Sequence, residues 1–90
     1  MVKHLNITVY GKVQGVFFRA TALEQARQFG ITGFVRNEAG GAVYLEAEGE
    51  DEHLAHFLEW CGKGPEKAGV DRLEIVEAGL TPFKDFEIRR

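Results

Sequence analysis

An α+β fold of two layers follows from three features of this 90-residue sequence. Alternating apolar positions mark strands, two stretches of helical apolar spacing separate them, and glycine-rich breaks divide the elements. Leu5, Ile7 and Val9 alternate with Asn6, Thr8 and Tyr10, the pattern of a strand with one buried face. Gly11 to Phe17 reads as a loop. Phe18, Ala22, Ala26 and Phe29 then recur at helical spacing, and Gly30 is a natural stop. Gly33–Asn37 and Ala42–Glu48 read as short strands, the second with Val43, Leu45 and Ala47 on one face. Glu38-Ala39-Gly40-Gly41 between them is a hairpin turn. Glu50-Asp51-Glu52 places acids at the start of a second helix, where they suit its dipole. Leu54, Phe57, Leu58 and Cys61 form the buried stripe of that helix, and Gly62-Lys63-Gly64-Pro65 ends it. Leu73 and Ile75 mark a fourth strand, while Phe86 and Ile88 mark a short fifth element or the C-terminal edge. The order β-α-β-β-α-β predicts a ferredoxin-like sandwich, an antiparallel sheet with both helices on one face. One domain over residues 1–90 is expected, with no linker, repeat or low-complexity segment.

A hydrophobic content of 44%, with seven phenylalanines, is enough to build a core and argues against disorder. Eleven basic and 14 acidic residues give a net charge of −3 without a long single-sign block. A general nucleic-acid or membrane-surface binder shows a basic patch instead, so neither partner is expected. An anion site on such a chain needs its own focused donors. Cys61 is the only cysteine, which excludes an internal disulfide and a cysteine metal cluster. The N-terminal MVKHLNITVYG lacks a signal-peptide hydrophobic run, and no apolar stretch approaches the ~20 residues that span a bilayer. A cytoplasmic monomer is the default expectation.

The stretch YGKVQGVFFRA, Tyr10 to Ala20, sets Arg19 where a helix begins. Unpaired N–H groups make that end partially positive, so a cation there is mildly unfavourable unless something negative joins it. Gly11 and Gly15 permit left-handed backbone and close approach, and successive N–H groups in such a turn converge into an anion nest. The helix start adds further donors, and the Arg19 guanidinium adds a planar fork that engages two oxygens at once. Glycine-rich turns are also common, and a helix-start arginine is often simply solvated; the stretch by itself leaves both readings open. It is no Walker A loop, and no dinucleotide fingerprint occurs, so a nucleotide is not indicated. Asn37, where the hairpin begins, is either an ordinary turn residue or a side chain aimed at the mouth of the Gly11–Arg19 loop.

Together the two stretches resemble the acylphosphatase family. Its first motif, Gly-x-Val-Gln-Gly-Val-x-Phe/Met-Arg, is matched by Gly11-Lys12-Val13-Gln14-Gly15-Val16-Phe17-Phe18-Arg19. Its second is matched by Gly33-Phe34-Val35-Arg36-Asn37 followed by Gly41, Val43 and Gly49. Gly64-Pro65, Pro82-Phe83 and Phe86-Glu87-Ile88 extend the likeness over nearly the whole chain. Two positions depart: Gly40 stands where the family often has Asp, and Ala22 where it often has Thr, with Thr21 one step earlier.

The resemblance implies a ferredoxin-like fold and hydrolysis of acyl phosphates to a carboxylate and inorganic phosphate, without metal or other cofactor. Gln14, Gly15, Val16, Phe17, Phe18 and Arg19 would form the phosphate-binding loop, with Arg19 and Asn37 catalytic. The chemistry is physically consistent. A carboxylate leaving group, with a pKa of about 4, departs without protonation. Phosphoryl transfer through a loose transition state needs mainly positioning and charge stabilisation. The loop N–H groups and Arg19 would supply the stabilisation, and Asn37 would hold the attacking water.

Other features point elsewhere less well. His53 and His56, three apart near Glu50, Glu52 and Glu59, lie off the apolar stripe of their helix and lack a third strong ligand, so a metal site is not expected. His4 falls on the polar face of the first strand. Cys61 reads as an inert buried thiol and Trp60 as packing at the stripe's margin. Gln14 fits a loop-shaping hydrogen bond as well as a ligand contact, and Lys12 either steers anions or is solvated. RNA-binding domains share the element order, but Tyr44 stands in the third strand without their aromatic signature. The main rival is a non-catalytic module that binds acyl phosphates or other anions.

Overall fold

The computed structural model describes all 90 residues. The elements run β1 (Val2–Lys12), α1 (Phe18–Gln28), β2 (Thr32–Asn37), β3 (Val43–Glu50), α2 (Asp51–Lys63), β4 (Gly69–Ala78) and β5 (Phe86–Ile88). The five strands form one sheet in the order β4-β1-β3-β2-β5. β1 pairs antiparallel with β3 and β4, and β2 pairs antiparallel with β3. β5 instead lies parallel to β2, so the sheet is mixed and the expectation of a fully antiparallel sheet is corrected.

The chain path explains that exception. β4 ends at one edge of the sheet, and the segment 79–85 crosses the face opposite the helices to reach the other edge. The Thr81 N–H donates to Glu48 Oε1 at 2.7 Å on the way. The Phe83 ring stacks on His4 and meets Phe34 edge-on, with centroids 5.6 and 6.1 Å apart. A strand delivered this way arrives in the direction of β2. His4, on that face, is thereby buried, its ring nitrogens 3.1 and 2.9 Å from carboxylate oxygens of Glu48 and Glu46. The Tyr44 hydroxyl donates to the second Glu46 oxygen at 2.7 Å, and burial followed by that carboxylate pushes its pKa up to about 12.

The period-two pattern of β1 holds: Leu5, Ile7 and Val9 are buried against the helices, as are Val43, Leu45 and Ala47 of β3. Phe18, Ala22 and Ala26 bury one face of α1, and the two alanines let its backbone approach the sheet. Leu54, Phe57 and Cys61 do the same for α2, with Leu58 half-buried at the margin. Burial alone pushes the Cys61 thiol well above its ordinary value, which leaves it unreactive near neutral pH. Trp60 packs on Phe18 and Phe57, at centroid distances of 5.1 and 6.1 Å. No helix is long and apolar enough to cross a membrane.

Two boundaries differ from the sequence reading. β1 does not stop at Gly11 but continues to Lys12 through an irregularity at Tyr10/Gly11. Gly11 has φ +125°, and a Cβ there would collide with the Gly69 carbonyl of β4, so only glycine lets the strand pass. β4 is longer than Leu73 and Ile75 suggest. It is an edge strand, and exposed Asp71, Arg72, Glu74 and Glu77 hide its alternation.

Candidate active site

Between β1 and α1 the chain is pinned twice, by Val13 and Val16, whose side chains enter the core. Gly15 lies exposed between them at φ +75°, and Phe17 follows at φ +66°, the one non-glycine residue with positive φ. Holding a phenylalanine in the left-handed region costs about 1–2 kcal/mol. Thr21 holds that geometry in place: its N–H and its hydroxyl both donate to the Phe17 carbonyl, at 3.0 and 2.9 Å. Side-chain support for the loop thus comes from Thr21, one position before Ala22.

Phe17 is the N-cap of α1, yet it supplies no side-chain cap, and the first turn contains no acid. The backbone N–H groups from Gly15 to Ala20 donate to no acceptor within the protein. Six donors around a helix start, on a doubly turned loop, form an anion-directed concavity. Arg19, the second residue of α1, stands in the first turn beside this cradle. It is half-buried and makes no ion pair, whereas Arg36, Arg72 and Arg89 each pair with a glutamate. A partly desolvated guanidinium without a carboxylate is poised for an external anion.

Asn37 ends β2, opposite Val43 of β3 and on the helix-facing side with Val35. Its side-chain amide makes no hydrogen bond to the protein, so the hairpin does not consume it as a turn residue. The hairpin is closed by the Glu38 N–H on the Ala42 carbonyl at 2.8 Å. Gln14 ties the cradle to this hairpin: its Nε2 donates to the carbonyls of Glu38 and Ala42, at 2.8 and 2.9 Å. Replacing Gln14 with alanine removes both bonds, and we expect a loss of about 1–2 kcal/mol in urea unfolding. Catalytic efficiency should fall with it, because the cradle and Asn37 then lose their common brace.

The cradle, Asn37 and the C-terminal residues enclose a cleft of about 380 Å³ lined by Val13, Gly15, Phe17, Phe18, Arg19, Ala20, Asn37, Ile88 and Arg90. Gly15, Phe17, Phe18, Arg19 and Asn37 of the expected site therefore share one cavity. The side chains of Gln14 and Val16 do not line it; the first braces the hairpin and the second fills the core. Ile88 and Arg90 were not among the expected site residues; the sequence placed Ile88 only in the short fifth element. The Phe86/Ile88 alternation put both on one face, but nothing local revealed that β5 docks beside β2. The lining side chains include no carboxylate, imidazole or thiol. His53 and His56 lie on α2 outside the cleft, with the His56 ring stacked on Phe29 at 5.6 Å. Lys12 is exposed at the end of β1 and does not line it either.

The Acylphosphatase family model matches residues 5–88. An acylphosphatase of Marinobacter nauticus is 44% identical over 86 residues, covering 94% of both chains. The structure of an acylphosphatase from Coxiella burnetii superposes with a TM-score of 0.94 at 36% identity, over 98% of this chain and 93% of that one. The acylphosphatase of Bacillus subtilis gives a TM-score of 0.95 at 31% identity over the full length of both. The chain accordingly belongs to the acylphosphatase family, enzymes that hydrolyse acyl phosphates.

Proposed function

We propose that the chain hydrolyses acyl phosphates in the cleft between the Gly15–Arg19 loop and Asn37. The supporting observation is the unpaired, half-buried Arg19 beside backbone donors that no protein acceptor uses. The phosphoryl group sits in the cradle, its oxygens bound by loop N–H groups and the Arg19 fork. Asn37 holds a water in line with the carboxyl–phosphate bond. The water oxygen forms a bond to phosphorus as the bond to the carboxylate oxygen breaks. The carboxylate leaves with the electron pair, needing no proton because its pKa is about 4. An amide is no base near neutrality, so the water's proton passes to a phosphoryl oxygen. Charge that grows in the loose transition state meets donors already fixed in place.

Hydrolysis of benzoyl phosphate with inorganic phosphate as competing ligand tests this reading. Turnover with competitive inhibition by phosphate is expected; phosphate binding without turnover would leave only an anion-binding module. Because no side-chain carboxylate, imidazole or thiol lines the cleft, kcat should vary less than about threefold from pH 6 to 8. A bell-shaped profile centred near neutrality would overturn the mechanism. The cradle donors, Arg19 and Asn37 meet in one cleft without help from a second copy, so we also read the protein as active as a monomer. A lone buried thiol, Cys61, suits a reducing cytoplasm.

A further inference from the structure

One long edge of the sheet has no partner strand. β4 stands at the end of the order β4-β1-β3-β2-β5 and runs for ten residues, whereas the opposite edge, β5, has three. Edge strands that must stay solitary are short, or carry lysine, proline or a bulge. The ten residues of β4, GVDRLEIVEA, include neither lysine nor proline, and seven of them are exposed. Ile75 and Val76, on opposite faces of the strand, are 45% and 57% exposed, so apolar surface reaches this edge from both sides. The charges of the strand are of both signs and do not repel a second strand as a run of one sign would.

We infer that this edge pairs with the same edge of a second copy, giving a twofold-symmetric antiparallel dimer centred on Leu73. Arg72, Glu74 and Val76 stand in register with Tyr10, Thr8 and Asn6 of β1, all on the sheet face opposite the helices. A twofold axis through Leu73 and normal to the sheet sets Arg72 of each copy opposite Glu74 of the other. It also sets Val70 opposite Val76, twice, while Leu73 meets Leu73 on the helix side. Neighbouring registers are worse: an axis at Arg72 or at Glu74 brings like charges face to face, and one at Ile75 leaves Arg72 opposite Ala78. Within one chain Arg72 reaches Glu74 only at 3.5 Å, with both side chains more than half exposed, so this contact is weak and readily exchanged. The Tyr10 ring, 3.9 Å from the guanidinium carbon, keeps Arg72 on the correct face. No residue of β4 lines the cleft, so each site stays open and complete within its own chain, and the dimer does not depend on the hydrolytic reading. One strand ladder covers less surface than a standard interface, which sets the dissociation constant at about 0.1 mM.

Sedimentation velocity from about 10 μM to about 1 mM tests the pairing, and the wild type should pass from monomer to dimer over that range. Arg72→Glu and Glu74→Arg each set like charges face to face, and each should weaken the dimer about tenfold. Both side chains are exposed, so the monomer fold survives either change. The double variant Arg72→Glu/Glu74→Arg restores both ion pairs in the reverse sense and should return the dissociation constant to within about threefold of wild type. An equimolar mixture of the two single variants should associate as the wild type does. A wild type that stays monomeric throughout the range overturns the inference. So does a dimer that ignores the single substitutions, or one that the double variant fails to restore, because another surface then holds it.

Discussion

Replacing Arg19 with alanine should lower kcat/KM for benzoyl phosphate by about 1,000-fold or more. Guanidinium groups that meet transition-state charge in phosphoryl transfer contribute effects of this size, equivalent to about 4 kcal/mol at 1.36 kcal/mol per decade. Inhibition by inorganic phosphate should weaken as well, because the same fork binds the ground-state anion. Stability should move the other way. Arg19 is half-buried without an ion pair, next to a helix start that already carries positive partial charge. Its removal should leave the Tm unchanged or slightly higher, the usual sign of a residue kept for function at some cost in stability. Arg19→Lys keeps the charge but loses the bidentate fork, so it should recover phosphate inhibition better than turnover. Activity of Arg19→Ala within tenfold of wild type would remove Arg19 from the reaction.

Asn37→Ala should separate turnover from binding. Its amide bonds to nothing in the protein, and its place at the end of β2 is fixed by the Asn37–Val43 ladder pair rather than by its side chain. The hairpin should therefore survive the substitution. Loss of a water-positioning group costs about 100- to 1,000-fold in rate, since small misplacements of a reacting atom are expensive. We expect kcat to fall by that factor while inhibition by phosphate changes less than about threefold. Steady-state kinetics with phosphate as inhibitor, alongside thermal unfolding, checks both halves. A parallel loss of phosphate affinity would make Asn37 a binding group and leave the water without a holder.

Much of the fold was legible locally, and the reasons are local. Leu5, Ile7 and Val9 alternate because one face of β1 is buried. Leu54, Phe57 and Cys61 recur at helical spacing because one face of α2 is. Elements whose burial is one-sided write their period into the chain. β4 was only half visible because an edge strand alternates weakly, and three-residue β5 is too short to show a period at all. The parallel pairing of β5 with β2 depends on a crossing of the open sheet face, which involves contacts such as Phe83 with His4 that lie nearly 80 residues apart.

The site divides along the same line. The sequence by itself determined that a glycine-turned loop precedes a helix with Arg19 in its first turn, and that an asparagine closes the following strand. Those features rest on backbone preferences and spacing within a few residues, which are properties of the chain before it folds. Only the tertiary structure decided that Asn37 opens onto the same cleft as Arg19, and that Gln14 serves as a brace. It alone brought Ile88 and Arg90 to the wall opposite the loop. Such choices are made by strand order and register, which bring distant residues together through pairing that no local pattern encodes.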